Sequence, residues 1–128
     1  MAERTLEAPP VNPEVEPYFE AAKNGKLMYG YCQDTNQPFF FPRAVSPFTL
    51  SNNVEMREAS GRGTVYTYSV MRRTQVPYAI AYVELDEGPM MMTNIVDCDL
   101  DQIRVGMPVQ VVFKDAAEGW KIPCFKPA

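Results

Sequence analysis

The chain has 128 residues, of which 46% are hydrophobic, and a formal net charge of −4. This length fits one domain with a small appendage, and the hydrophobic content excludes a chain that is disordered throughout. The acidic balance disfavours a general binder of nucleic-acid phosphates, which needs a basic surface. The sequence contains no histidine, so the commonest general base and the commonest metal ligand are both missing.

Three widely spaced cysteines, Cys32, Cys98 and Cys124, do not suit a disulfide framework, and we expect a reducing, cytoplasmic setting. Cys98 lies among aspartates, which predict a raised thiol pKa and a structural role. Residues 1–17 lack the apolar stretch of a signal peptide. No window approaches the roughly 20 apolar residues of a membrane-spanning helix, so we predict no membrane association.

The first predicted element is a helix from Pro13 to Lys23. Asn12 suits the N-cap, and Pro13 suits the first helical position, where a missing N–H costs no hydrogen bond. Asn24-Gly25 suits the C-terminal end. We assign residues 1–25 to an N-terminal tail and helix.

Residues 26–58 contain two segments with the spacing of zinc knuckles, in which two cysteines are separated by two residues. The four ligand positions are Cys32, Thr35, Ser46 and Thr49, and only the first is cysteine. A structural zinc site needs about four soft or borderline ligands, and neutral hydroxyls are poor substitutes. We therefore predict a degenerate zinc-ribbon-like segment without zinc. The side chains predicted to replace the metal with a small apolar core are Phe39, Phe40, Phe41 and Phe48.

From residue 59 the pattern changes to five strands with alternating apolar side chains. Three strands form a meander, a short helical link follows at residues 97–103, and two strands close the chain. This is the strand order of an OB barrel, and other all-β barrels remain open as alternatives. Gly61 and Gly63 predict a bulge or a close backbone approach at the start of the first strand. Alternation in that strand places Thr64, Tyr66, Tyr68 and Val70 on one face, and Val65, Thr67 and Ser69 on the other.

Five segments in this order carry a family resemblance: FFFPRAVSP (39–47), SGRGTVYTYSV (60–70), AYVELDEGPMMMTNIVDCD (81–99), IRVGMPVQVVF (103–113) and PCFKPA (123–128). Over residues 13–128 the chain resembles the acyl-CoA-associated OB-fold proteins that carry an N-terminal rubredoxin-like zinc ribbon. The resemblance implies a non-catalytic accessory subunit, in a hetero-oligomer with a thiolase-superfamily or related acyl-CoA enzyme. It also implies a CoA ester as a candidate ligand. Zinc binding is not carried over, because the chain departs from the family's C-x-x-C knuckles at Thr35, Ser46 and Thr49.

The prediction is therefore a mainly β chain with an N-terminal helix, a degenerate zinc-ribbon-like segment at 26–58 and a five-stranded OB-fold barrel at 59–128. No catalytic residues are assigned, since there is no histidine and no nucleophile–base motif. One alternative is a stand-alone acyl-CoA-binding module, and in isolation the chain could form a homodimer. A further alternative is a nucleic-acid-binding OB protein, which the charge disfavours. Its stacking surface would come from Tyr66, Tyr68, Tyr78 and Tyr82.

Four arginines are the candidate residues for binding a ligand or partner: Arg43, Arg62, Arg72 and Arg73. Arg43 matches a frequent basic position of the family, so it could contact a CoA phosphate or a partner carboxylate, or be a solvated loop residue. Arg72 and Arg73 end a predicted strand, where they could bind phosphate or protect a strand edge from aggregation. Arg62 has a similar ambiguity.

Overall fold

The computed structural model describes residues 5–128 as a mainly β protein. Its elements are helix α1 (Glu16–Lys23) and the strands β1 (Met28–Cys32), β2 (Gln37–Phe39), β3 (Val54–Glu58), β4 (Arg62–Met71), β5 (Tyr78–Leu85), β6 (Met90–Ile95), β7 (Pro108–Asp115) and β8 (Lys121–Pro127), with short 3-10 turns at Leu100–Gln102 and Ala117–Gly119. A small sheet has the order β2-β1-β3, and a closed barrel has the order β4-β5-β6-β8-β7. None of the helices within residues 5–128 is long and apolar enough to cross a membrane.

Helix α1 begins three residues later than the sequence predicts. Asn12 Oδ1 accepts hydrogen bonds from the N–H groups of Glu14 and Val15 at 3.0 and 3.2 Å, and residues 13–15 form a turn instead of the first helical turn. The side chain of Asn12 thus satisfies the N–H groups that a helix would leave unpaired. The end is as predicted, since Gly25 adopts a φ of 77°, which glycine tolerates best.

The small sheet is built around Gly30, the central residue of β1. Gly30 lies opposite Phe39 of β2 on one side and Met56 of β3 on the other. A Cβ atom on Gly30 would lie 2.3 Å from the ring of Phe39. The missing side chain therefore lets the buried Phe39 ring lie flat across β1.

The predicted five-stranded barrel with a helical link is confirmed. The link between β6 and β7 contains a 3-10 turn, which is capped by Asp99 through a 2.9 Å hydrogen bond from the N–H of Asp101. The two ends of the barrel sheet meet where β6 and β8 run parallel. Their register contains a single pair, Ile95 with Phe125, supported by a 2.8 Å hydrogen bond from the N–H of Val96 to the carbonyl of Phe125.

The predicted faces of β4 are wrong beyond Val65, because a bulge lies at Tyr66. Val65 pairs with a residue of β5, and so does Thr67, but Tyr66 has no residue opposite it. The extra residue reverses the alternation. Consequently Tyr68 and Val70 pack on the core, while Tyr66 is 59% exposed.

Gly61 and Gly63, at the start of β4, do not form the bulge at Tyr66. They lie where neighbouring strands of the barrel approach β4 closely. A Cβ atom on Gly63 would lie 2.6 Å from the side chain of Val83 and 2.7 Å from the carbonyl oxygen of Glu84. Glycine here allows β4 and β5 to pack closely where the barrel closes.

One hydrophobic core joins the helix, the small sheet and the barrel. Tyr18 of α1, Leu27 and Tyr29 of the small sheet, and Val65 and Phe125 of the barrel belong to the same buried cluster. The aromatic rings of Phe19 and Trp120 add an edge contact between α1 and the start of β8, with centroids 6.3 Å apart. The small sheet is therefore held against the barrel by packing.

Candidate functional site

The two segments with knuckle spacing lie side by side, and a hydrogen bond joins them. The hydroxyl of Ser46 donates to Cys32 Sγ at 3.1 Å, and both side chains are fully buried. The structure thus brings together three of the four predicted ligand positions, Cys32, Ser46 and Thr35. Thr35 contacts Cys32 from the turn that follows it, whereas Thr49 turns away from the sulfur and donates to Asp34 at 2.9 Å.

Backbone N–H groups converge on the first residue of each segment in the same way. Ser46 Oγ accepts hydrogen bonds from the N–H groups of Phe48 and Thr49 at 3.0 and 3.2 Å. Cys32 Sγ accepts backbone hydrogen bonds from Asp34 and Thr35. Residues two and three positions along the chain therefore donate to the first side chain in both segments, which shapes two similar turns.

The pKa of Cys32 reflects these contacts. Burial alone would raise it, but hydrogen bonds from the side chain of Ser46, from the side chain and backbone of Thr35 and from the backbone of Asp34 outweigh the burial. Together they lower the pKa of Cys32 from its ordinary value of 9.0 to about 7. Hydrogen bonds to the charged form explain this direction, since they stabilise the thiolate.

A polar cluster around Asp34 was missed by the sequence analysis. One carboxylate oxygen of Asp34 accepts from the hydroxyls of Ser51 and Thr49, and the other accepts from Asn53 Nδ2 at 2.8 Å. Hydrogen bonds from Ser51, Asn53 and Thr49 lower the pKa of Asp34. A signal was available, because Ser51 and Asn53 follow the second segment at positions typical of side-chain-capped turns.

The predicted apolar replacement for the metal is wrong. Strand β2 ends at Phe39, so the next two aromatic residues leave the small sheet. Phe40 and Phe41 pack on Tyr18 of α1, with ring centroids 5.8 and 4.7 Å away. Phe48 is half exposed and meets only the edge of Phe39. The space between the two segments is closed by hydrogen bonds because a thiol and hydroxyls, once buried, need polar partners.

The four candidate arginines do not form one site. Arg62 is the first residue of the ten-residue strand β4 and Arg72 follows its last residue, so the two are about 30 Å apart at roughly 3.3 Å per residue. Arg62 pairs with Asp86 at 3.6 Å, and Arg72 pairs with Asp101 at 2.5 Å. Arg73 is exposed beside Arg72, and Arg43 is exposed in the loop after β2. A phosphate group would therefore meet at most two of these four guanidinium groups, one of them already bound to a carboxylate.

A cavity of about 680 Å³ lies where β6 ends and β7 and β8 pair. Its apolar wall includes Val96, Leu100 and Phe113, and its polar groups are mainly charged. The lysines in the lining already bind carboxylates, since Lys114 contacts Asp97 at 2.6 Å and Lys121 contacts Asp115 at 3.0 Å. With Asp99 added, the part of the lining that comes from residues 5–128 has three carboxylates and two ammonium groups. This charge suits a polyphosphate poorly.

Cys98 also lines this cavity. Burial raises the pKa of its thiol, and the carboxylates of Asp99 and Asp97 raise it further. The predicted direction is confirmed, with burial as the larger cause. Such a thiol is protonated near neutral pH and is a weak nucleophile.

Comparison with known proteins identifies relatives for nearly the whole chain. The family model described as "ChsH2, C-terminal OB-fold domain" matches residues 56–114. A "DUF35 domain-containing scaffold protein" of Methanocaldococcus jannaschii is 35% identical over 94 residues, which is 68% of this chain and 67% of that protein. A "Probable enoyl-CoA hydratase alpha subunit" of Thermomonospora curvata is 34% identical over 125 residues, which is 94% of this chain. The present chain spans only 39% of the length of that hydratase subunit.

The fold has a close counterpart among solved structures. A chain of the "Ltp2-ChsH2(DUF35) aldolase" superposes with a TM-score of 0.81 and 33% sequence identity. The match covers 94% of this chain and 98% of that chain. The helix, small sheet and barrel described above are therefore shared as one arrangement and not as isolated motifs.

Proposed function

We propose, since this chain belongs to the DUF35 family, that it is a non-catalytic accessory subunit of an acyl-CoA-processing enzyme. It binds and supports a thiolase-superfamily or related subunit that carries out acyl transfer, thiolysis or aldol-type chemistry on CoA esters. The observation that carries this proposal is the match over 98% of a chain from the Ltp2-ChsH2(DUF35) aldolase. The scaffold proteins among the relatives support the same role.

The chemistry of the described residues supports a role without catalysis. The chain has no histidine, and the cavity near Cys98 offers a thiol with a raised pKa beside carboxylates. The pKa of Cys32 is lowered, but its side chain is fully buried and hydrogen-bonded to Ser46. None of these groups supplies an accessible nucleophile with a base. The reacting groups then come from the partner subunit, and this chain contributes a surface that binds and supports that subunit.

The alternative of a stand-alone acyl-CoA-binding module has weaker support. CoA carries several phosphate charges, and the four arginines are dispersed over the surface. Among the described residues, the lining of the cavity of about 680 Å³ has more carboxylates than ammonium groups. A nucleic-acid-binding role is disfavoured by the same charge, although Tyr66 and Tyr82 are exposed on the barrel.

We propose that the small sheet holds no zinc. The donor set consists of one thiol and three hydroxyls, and the hydroxyl of Ser46 already binds Cys32. Within residues 5–128 no group of three or more His, Cys, Asp or Glu side chains could hold a metal ion. These donors do not fit a structural zinc site. No disulfide joins the cysteines within residues 5–128, which supports a reducing, cytoplasmic location.

The test is to tag the chain, purify it gently from its native host, and identify what elutes with it at fixed stoichiometry. We expect a thiolase-like or other CoA-ester enzyme. The isolated chain should have no turnover on CoA esters and should give no heat with CoA in calorimetry. Thiolysis or hydrolysis by the isolated chain, abolished by changing one of its own residues, would falsify the proposal. Tight CoA binding without a partner would favour the stand-alone module.

A further inference from the structure

The loop at residues 43–51, called here the display loop, presents three large apolar side chains to solvent. Val45 is 42% exposed, Phe48 is 48% exposed and Leu50 is 78% exposed. They alternate with the buried Ser46 and the hydrogen-bonded Thr49. Such a cluster on a short loop is what a protein-binding surface presents, whereas single exposed apolar residues are ordinary.

Hydrogen bonds hold the display loop to the segment before α1 and join its own residues to one another. Glu14 Oε1 accepts a 2.8 Å hydrogen bond from the N–H of Ala44. The N–H of Ser46 donates to the carbonyl of Ser51 at 2.7 Å, and the N–H of Leu50 donates to the carbonyl of Ser46 at 2.9 Å. The loop is therefore preorganised, so little conformational entropy is lost when a partner covers it.

Leu50 is held in a conformation that leucine disfavours. Its φ is 64°, in the left-handed region where glycine and asparagine are common and leucine is rare. The side chain is also the most exposed of the large apolar residues in the described chain. The left-handed φ belongs to the turn itself, because Asn36, four residues after Cys32, has a φ of 55° at the position that Leu50 occupies after Ser46. What a second protein explains is an exposed leucine at a position where the first segment has asparagine.

The charge of the loop indicates what kind of surface covers it. Residues 43–51 contain one arginine and no acidic residue, in a chain whose net charge is −4. Arg43 forms no ion pair with any residue between 5 and 128. A complementary partner surface would have an apolar hollow with a carboxylate at its rim.

We propose that the display loop docks into an apolar hollow with an acidic rim on the enzyme subunit that this chain supports. Phe48 and Leu50 are the anchors, and Arg43 pairs with the rim carboxylate. The buried hydrogen bond between Ser46 and Cys32 sets the shape of the loop. This assignment rests on the proposed function and deepens it by naming the interface.

The barrel offers a competing surface, formed by Tyr66, Tyr82 and Met92. Tyr82 and Met92 lie opposite each other on β5 and β6, and the three side chains are 59%, 45% and 62% exposed. They stand on regular or bulged strands and have ordinary backbone conformations within the described set. None of these three residues has a left-handed backbone conformation, so a substitution on this face serves as the matched control for a substitution in the display loop.

The test is co-purification from the native host with two single variants, Leu50→Asn and Met92→Asn. Asparagine suits the left-handed conformation, so Leu50→Asn should leave the thermal midpoint unchanged or raised while it weakens partner binding about tenfold or more. Met92→Asn should change partner affinity by less than about twofold. Affinity is measured by titrating each purified variant against the co-purified enzyme subunit. Arg43→Ala should weaken binding as well, and more strongly at low ionic strength.

The outcomes separate the two proposals. If the wild-type chain brings no CoA-ester enzyme, the proposed function fails, and the docking assignment falls with it. If the wild type brings the enzyme but Leu50→Asn binds as tightly, only the docking assignment is overturned. A loss with Met92→Asn alone would place the interface on the barrel. Self-association of the wild type that is lost in Leu50→Asn would assign the loop to a second copy of this chain and refute the assignment.

Discussion

Removing the hydroxyl of Ser46 is the most informative perturbation of the small sheet. The oxygen takes part in three hydrogen bonds, one to Cys32 Sγ and two from the N–H groups of Phe48 and Thr49. Ser46→Ala removes all three at once and puts a methyl group in a fully buried position. We expect the second knuckle segment to loosen while the barrel stays intact.

The magnitude follows from the hydrogen bonds that are lost. A typical net value is about 1 kcal/mol each, and a buried donor left without a partner costs about 1–3 kcal/mol. Since Phe48 and Thr49 are only partly shielded, water can reach their N–H groups, and we expect a loss of about 2–4 kcal/mol in the free energy of unfolding. With a urea m-value of about 1.5 kcal/mol/M, this lowers the unfolding midpoint by roughly 1.3–2.7 M.

The assay is urea unfolding, followed by tryptophan fluorescence and circular dichroism under reducing conditions. Trp120 contacts Phe19 of α1, so fluorescence reports the joint between the helix and the barrel. The control is Ser69→Ala on the exposed face of β4, which should change stability by less than about 0.5 kcal/mol. Ser46→Cys should recover part of the loss, because sulfur also accepts backbone N–H bonds.

A midpoint for Ser46→Ala that matches the control would refute this reasoning. It would mean that packing alone holds the second knuckle segment, and that the hydrogen bond to Cys32 is incidental. A change in m-value without a change in midpoint would instead indicate that the small sheet unfolds separately.

Three further predictions concern the same fold. Folding lowers the pKa of Cys32 to about 7, so the Cys32 thiolate stabilises the fold above the ordinary thiol pKa, and this stabilisation is lost as pH falls through the folded pKa. The urea midpoint should therefore rise from pH 7 to pH 9. Cys32→Ala should flatten that rise. Replacing Thr35, Ser46 and Thr49 together by cysteine should create a site for one zinc or cobalt ion, which elemental analysis and thiolate–cobalt absorption would detect. Stoichiometric zinc in the wild type, purified without chelator, would contradict the proposed absence of metal. Gly63→Ala would bring a methyl group to 2.6 Å from a β5 side chain and 2.7 Å from a β5 carbonyl, and calorimetry should show a loss of about 1–3 kcal/mol.

The barrel could be predicted from the sequence because its strands alternate over long stretches. The alternation in β5 and the turn that follows it were sufficient to place that strand and its hairpin. The face of β4 could not be predicted beyond Val65, since a bulge at Tyr66 depends on the partner strand and not on local pattern. Glycines at positions 61 and 63 suggested an irregularity, but the residues that they approach lie on other strands, Val111 on β7 for Gly61 and Val83 and Glu84 on β5 for Gly63.

The small sheet was predictable in outline and not in chemistry. The spacing of the two segments placed Cys32 and Ser46 correctly as neighbours, because a knuckle turn has a fixed shape. The sequence analysis assumed that the space left by a metal is filled by phenylalanine. The buried thiol of Cys32 instead requires hydrogen-bond partners, and one of them, Ser46, is distant in sequence.

The parallel contact between β6 and β8, which has a single register pair, is where we expect the closed barrel to open first. Most other neighbouring strands of the barrel share long ladders. This parallel contact has one register pair, Ile95 with Phe125, the hydrogen bond from the N–H of Val96, and a 3.3 Å hydrogen bond from the hydroxyl of Thr93 to the carbonyl of Pro123. In hydrogen exchange, amides near this seam should exchange through local opening well before those in the β4–β5 hairpin, which require global unfolding. The β4–β5–β6 meander and the β7–β8 hairpin would then separate first along this seam, while the pairing of β4 with β7 keeps them joined on the other side.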